Sequence, residues 1–173
     1  EWAKQEPVRK LQTFDNFEYQ YNANTNQLNH IKENALSNNG VRTDDIDFQS
    51  VGNYSYDNDG RLTKDVHDGI TNIIWTRDNR PKQVTKNFNG INEVINYHYD
   101  FQGFKIIQTI NRNDSVFKQH YVRDPQGSVL AIYTDTSATN YQKLTLSELS
   151  IYGSSRLGTI QLDSVLYKQN GNN

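Results

Sequence analysis

The sequence predicts an all-β fold of consecutive antiparallel β-hairpins that form one curved sheet, and three observations predict it. A short motif, an aromatic pair followed by an acid and a glycine turn, recurs along the chain. Turn signals return at roughly ten- to twelve-residue spacing, the cadence of a meander. Between the turns, side chains alternate with a period of two, so that residues i and i+2 share a face.

The motif reads Tyr54-Ser-Tyr56-Asp57-Asn-Asp-Gly60-Arg-Leu62, then Tyr97-His-Tyr99-Asp100-Phe-Gln-Gly103, then Tyr121-Val-Arg123-Asp124-Pro-Gln-Gly127. A degraded copy is Ile73-Ile-Trp75-Thr-Arg-Asp-Asn79-Arg-Pro81, and a looser one runs from Tyr19 to Leu28. In the three fuller copies, the acid ends a strand and the glycine supplies a positive φ. Asn79 stands in a glycine place, and Asn is the side chain best tolerated there. Internal repetition of this kind indicates stacked copies of one unit. The second aromatic position falls at residues 21, 56, 75, 99 and 123, one hairpin per repeat after a longer first gap.

The elements follow in order. Residues 1–16 are polar and read as an N-terminal connection. The repeat region spans 17–160, with an inserted loop at about 30–51, where Asn34-Ala-Leu-Ser-Asn-Asn-Gly40 and Asp44-Asp-Ile-Asp47 break the alternation. Turns are expected at Asp57–Gly60, Asp68-Gly69, Asp78-Asn79, Asn89-Gly90, Gln102-Gly103, Asn111–Asp114, Asp124–Gly127, the polar run Asp135–Asn140, and Gly153–Ser155. Asn-Gly and Asp-Gly are strong hairpin signals because a type I′ turn needs positive φ at both central residues. Ile91, Glu93, Ile95, Tyr97 and Tyr99 share one strand face, with Asn92, Val94, Asn96 and His98 on the other. Residues 161–173 read as a C-terminal connection.

Composition narrows the function classes. Hydrophobic residues make up only 34% and mean hydropathy is −0.88, yet aromatics reach 12% with eleven Tyr, so the chain reads as a folded sheet with much wet surface. A net charge of −2 with interspersed signs gives no support to nucleic-acid or anionic-membrane binding. The absence of cysteine removes disulfides and thiolate metal sites. No run approaches transmembrane length. The first residue is Glu1 rather than Met, and the chain is expected to be a piece of a longer polypeptide.

No constellation for catalysis emerges, and no cofactor is expected. His30, His67, His98 and His120 lack metal-ligand spacing and read as surface or turn residues. Ser128, His120 and Asp124 contain the residue types of a triad without a nucleophile elbow. The Asp44–Asp47 and Asp57–Asp59 clusters do not fit an EF-hand loop and read as solvated turn acids. The tyrosine rows read as cross-strand packing, the alternative being a sugar-stacking platform on a surface-exposed carbohydrate-binding or adhesive module.

The Tyr54–Leu62 stretch resembles the YD repeat of Rhs (rearrangement hot spot) proteins at every defined position, and Tyr97–Gly103 resembles it through the glycine. The Ile73–Val84 stretch is similar to a divergent form common in Bacteroidetes relatives. Residues His120–Tyr133 and Glu148–Gly158 are similar to the segment that leads into the Rhs-associated core. The resemblance covers about residues 17–160. It implies a β-strip wound into a hollow shell around a cargo or toxin segment of the same exported polypeptide, with this chain as one arc. It also implies that the partners are further repeats and the C-terminal cargo of its own polypeptide, with secretion or surface-anchoring machinery, and a secreted or bacterial cell-surface location. Asp124-Pro125 is superficially similar to an Rhs self-cleavage element, but it lies in a repeat frame followed by a further strand, so no cleavage is expected there.

Overall fold

In the computed structural model, which describes residues 17–33, 49–138 and 141–170, the chain is built from twelve antiparallel strands, with no helix among the described residues. Strands β1 (Phe17–Tyr21) and β2 (Leu28–Glu33) pair as a separate hairpin. Ten strands then form one sheet in strict chain order: β3 (Tyr54–Tyr56), β4 (Leu62–Asp65), β5 (Ile70–Trp75), β6 (Pro81–Phe88), β7 (Ile91–Tyr99), β8 (Lys105–Arg112), β9 (Ser115–Arg123), β10 (Val129–Ala138), β11 (Tyr141–Tyr152) and β12 (Arg156–Asn170). Because every strand neighbours the next in sequence, the turns fall alternately on two rims. The motif turns all lie on one rim and the plain hairpin turns on the other.

Alternation within strands builds cross-strand rows. Ile73 pairs with Val84, Val84 with Ile95, Ile95 with Ile110 and Ile110 with Phe117, a continuous apolar row over five strands. Such β-branched and aromatic pairs contribute roughly 0.2–1 kcal/mol each. No second layer covers the sheet among the described residues, and the buried apolar side chains there are Ile31, Ile73 and Ala131. Cohesion therefore rests on ladder bonds, cross-strand pairs and rim contacts more than on an enclosed core.

The sheet extends further than the sequence reading placed it. β12 runs to Asn170, so residues 161–170 are strand rather than connection. Leu162, Val165, Leu166 and Tyr167 are strand formers whose polar neighbours masked them. β10 likewise continues through Asp135, Thr136 and Ser137 to Ala138, so these residues are strand where a turn is predicted over Asp135–Asn140, and residues 139–140 lie outside the described residues. Register explains why these polar residues hold a strand: Asp135 pairs with Lys118 on β9 and Thr136 with Phe117. The predicted loop at about 30–51 loses its first residues to β2. Its acidic and Asn-rich stretches, with the predicted connection 1–16, lie outside the described residues.

Candidate functional site: the joints between hairpins

The motif residues assemble one local structure, repeated. The Asp57 N–H donates to the Arg61 carbonyl at 2.9 Å, and the Gly60 N–H donates to the Asp57 carbonyl at 3.0 Å. The Asp57 carboxylate accepts from the Asp59 and Arg61 N–H groups at 3.0 and 2.9 Å. Asp100 accepts in the same way from Gln102 and Phe104 at 2.9 and 2.8 Å, and Asp124 from Gln126 and Ser128 at 3.0 and 2.8 Å. One carboxyl oxygen thus satisfies two N–H groups that the turn would leave unpaired. In the degraded copy Thr76 takes the acid's place, its hydroxyl accepting from the Arg80 N–H at 3.0 Å.

These loops are type I turns closed by a left-handed residue, a three-residue hairpin geometry rather than a type I′ turn. Positive φ occurs at Gly60, Asn79, Gly103 and Gly127 alone within their turns. Asn89-Gly90, on the opposite rim, is the pair with positive φ at both residues, as its sequence predicts.

A bulge follows each turn. Tyr56 pairs with Leu62 while Ser55 pairs with Lys64, leaving Thr63 extra. The same step leaves Lys82, Ile106, Leu130 and Leu157 extra on β6, β8, β10 and β12, and Asn29 on β2. Bulges bend a strand and raise its twist. Beyond them the ladder between neighbouring hairpins ends short of the rim, at Gln83↔Asn96, Ile107↔His120 and Ala131↔Leu149.

Side chains bridge the gap that remains. The Tyr56 hydroxyl donates to the Leu28 carbonyl at 3.0 Å, Trp75 Nε1 to Leu62 at 2.8 Å, Tyr99 to Pro81 at 2.8 Å, Arg123 Nε to Lys105 at 3.0 Å and Tyr152 to Val129 at 2.8 Å. Each acceptor is the first residue of the return strand in the preceding hairpin. The second motif position therefore needs a long side chain with a donor at its end, which Tyr, Trp and Arg all provide. This explains Arg123 where the motif has an aromatic residue. It also adds a sixth unit at Tyr152, which the sequence reading did not align because the turn after it lacks the acid.

Neighbouring turns also touch. In three turns the residue after the left-handed position (Arg61, Arg80 and Phe104) reaches the next turn: Arg61 Nη1 donates to Asn79 Oδ1 at 3.2 Å. A Cβ on Gly103 would lie 1.9 Å from the Arg80 guanidinium, and one on Gly127 would lie 2.2 Å from the Phe104 ring. Glycine is required there for close approach as well as for φ.

Cations line the aromatic row. Lys105 Nζ sits 5.5 Å from the Tyr97 ring centre and 4.6 Å from that of Tyr121, and Arg80 lies over Tyr99 at 5.7 Å. Burial pushes the Tyr97 and Tyr99 hydroxyls up from the ordinary phenol range, with Tyr121 and Tyr97 respectively adding to it. Burial raises Tyr56 too. Asp57 moves the other way: desolvation opposes ionisation, but the Arg61 N–H, the Arg61 guanidinium and the Asp59 N–H together outweigh it and hold the carboxyl low.

Tyr54 stands apart from the rim contacts, accepting from Gln49 Nε2 at 2.9 Å. Next to it, Asn53 is fully buried, donating to Asp65 Oδ1 at 2.9 Å and accepting from the His67 N–H at 2.7 Å. Nothing in the sequence pattern marks Asn53, since a lone Asn before a strand reads as a turn residue.

A cleft of about 400 Å³ opens at the plain rim between Asp68, Lys86, Ile91, Glu93 and Arg112. None of the predicted motif residues lines it. Arg112 Nε donates to Glu93 Oε2 at 2.8 Å, and Lys86 is the cross-strand neighbour of Glu93, so its charges are compensated locally. Among the described residues no group of three His, Cys, Asp or Glu side chains is arranged to hold a metal ion.

Neither a protein-family profile nor a curated protein matches the chain.

Proposed function

We propose that the chain is an architectural segment of an Rhs/YD-repeat shell, an arc of wall that encloses a cargo or toxin segment of the same exported polypeptide. The observation that carries this reading is the joint: five times, a side chain at one motif position donates to the same carbonyl position of the preceding hairpin. A unit that spends its signature residue on its neighbour is a building block, stabilised by stacking rather than by a core of its own. The uncovered single layer is what a wall requires. Its partners are then further repeats and the cargo of its own polypeptide, with export machinery delivering the whole to the cell surface or beyond.

Against the carbohydrate-binding alternative stands the use of the tyrosines themselves. The hydroxyls of Tyr56, Tyr99 and Tyr152 donate to main-chain carbonyls, and Lys105 lies over the rings of Tyr97 and Tyr121. The hydroxyls of three tyrosines and the ring faces of Tyr97 and Tyr121 are thus engaged by the protein itself.

The test is protease protection in the complete parent polypeptide. The proposal expects its cargo segment to survive a protease concentration that removes exposed tails, and to be cleaved once the sheet is denatured. Cleavage of the cargo in the native polypeptide at the rate of an exposed tail would refute encapsulation.

A further inference from the structure

On one face of the sheet, spare hydrogen-bond donors collect without matching acceptors. Tyr97, Gln108 and Gln119 are direct cross-strand partners on β7, β8 and β9, so they share a face. Tyr121 and Arg123 continue that face along β9. The Gln108 amide oxygen accepts from Lys105 Nζ at 2.9 Å, and the Gln119 amide oxygen accepts from the Tyr121 hydroxyl at 3.0 Å. Both amides thus turn their oxygens to the protein, and their NH2 groups are left over. Arg123 spends Nε on the Lys105 carbonyl and Nη1 on the Gly127 carbonyl, which leaves Nη2. Lys105 Nζ likewise keeps spare N–H bonds. The buried side-chain atom without a partner among the described residues is Ser150 Oγ, so the spare donors of this row all reach solvent.

Charge is uncompensated there too. Lys105 and Arg123 make no ion pair among the described residues, whereas Glu93, on the same face, is committed to Arg112. Both cations are half-buried and rest on rings. Lys105 Nζ lies 4.6 Å from the centre of Tyr121, and the Arg123 guanidinium lies 5.6 Å from it. Cations fixed in this way lose little freedom when a ligand arrives.

We propose that this row docks an acidic peptide, bound extended along β9, with its carboxylates taken by the Lys105 and Arg123 cations and the Gln108 and Gln119 amides. An ionised carboxylate only accepts, which complements a row that only donates. Length selects a peptide over a small acid. Gln119 to Arg123 covers about 13 Å at the strand rise, beyond the reach of one carboxylate and suited to acids at alternate positions of an extended chain. Nucleic acid is disfavoured, because the rings of Tyr97 and Tyr121 already carry Lys105 and leave no platform for a base. The inference goes beyond the architectural reading and holds for any source of the segment.

Fluorescein-labelled hexaglutamate, titrated with the full chain at low salt and read by anisotropy, should bind with a Kd below roughly 1 mM. Binding should weaken as salt rises, and hexaglutamine should not bind. In the unsubstituted chain, the side-chain NH2 signals of Gln108 and Gln119 should shift during an NMR titration. Lys105→Met should weaken binding roughly tenfold, the factor for one charge-assisted hydrogen bond. Arg123→Tyr, which keeps a donor for the joint, should do the same. Lys118→Met should change nothing, since Lys118 lies on the opposite face beside Asp135. Equal binding of hexaglutamine, unmoved Gln108 and Gln119 signals, or equal losses in Lys118→Met and Lys105→Met would each overturn the proposal. So would binding per carboxylate no better than that of acetate, or tighter binding of oligothymidine. None of these outcomes bears on encapsulation, which protease protection tests separately.

Discussion

The Tyr99 hydroxyl donates to the main-chain carbonyl of Pro81 at 2.8 Å, across a gap where the ladder between β6 and β7 has already ended. One phenol thus closes a joint that the backbone leaves open. Tyr99→Phe keeps the ring and removes the donor. It is expected to cost about 1 kcal/mol, read as a lower urea midpoint with unchanged m-value.

Arg123 does the same task with a guanidinium, donating to Lys105 at 3.0 Å. Arg123→Tyr is therefore expected to hold stability near that of the parent, whereas Arg123→Ala loses both the donor and the contact with the Phe104 ring. Equal unfolding midpoints for the two variants would show that this position is not a joint.

The turn glycines should not be equivalent. Gly60 and Gly127 both have positive φ, but a Cβ meets open space at the first and the Phe104 ring at the second. Gly60→Ala is expected to cost about 1–2 kcal/mol for the left-handed backbone, and Gly127→Ala clearly more, since the ring must leave its place. Calorimetric melting of the two variants orders them.

Asp124 accepts from two N–H groups within its own turn. Asp124→Ala leaves both without that partner and is expected to cost about 1–3 kcal/mol, while Asp124→Asn, which keeps one acceptor oxygen, recovers most of it. Denaturant unfolding of the pair measures the difference.

The pH dependence has two limbs. Tyr56, Tyr97 and Tyr99 have raised pKa values, so their contribution is complete below the unfolded phenol pKa of about 10 and is lost as pH rises through the folded values. Asp57 and Asp78 have lowered pKa values, Asp78 chiefly through the Thr76 hydroxyl. Their contribution is present above about pH 4 and is lost as pH falls through the folded values. Unfolding followed from pH 2 to 12 should show stability declining at both ends. Replacement of Tyr56 and Tyr99 by Phe should flatten the alkaline limb.

The hairpin architecture was legible in the sequence because its signals are local. A repeat of Tyr-x-Tyr-Asp with a glycine three residues on fixes strand end, turn and face together. The joints were not legible, because the acceptor at each is a carbonyl, which any residue supplies: Leu28, Leu62, Pro81, Lys105 and Val129 share nothing as side chains. Tyr152 escaped for a related reason. Its turn, with Gly153 N–H donating to the Ser155 carbonyl, is shorter than the others and has no acid to align. The polar end of β10 at Asp135–Ser137 reads as loop because it is held by its partners on β9 and β11, not by its own alternation. The middle of β12 reads as connection because a bulge at Leu162 and Asp163 breaks its alternation.

The central claim is that the motif-bearing hairpins lie side by side along one rim, and spin-label distances test it most directly. Labels at the turn positions Asn58, Arg77, Phe101, Gln126 and Ser154, introduced in pairs through cysteine, should separate by about 10 Å for each hairpin step, two strand spacings. Distances should grow with every step between Asn58 and Ser154, any shortfall from a straight line measuring the bend. An Asn58–Ser154 distance no longer than that from Arg77 to Phe101 would contradict the account, because the rim would not exist.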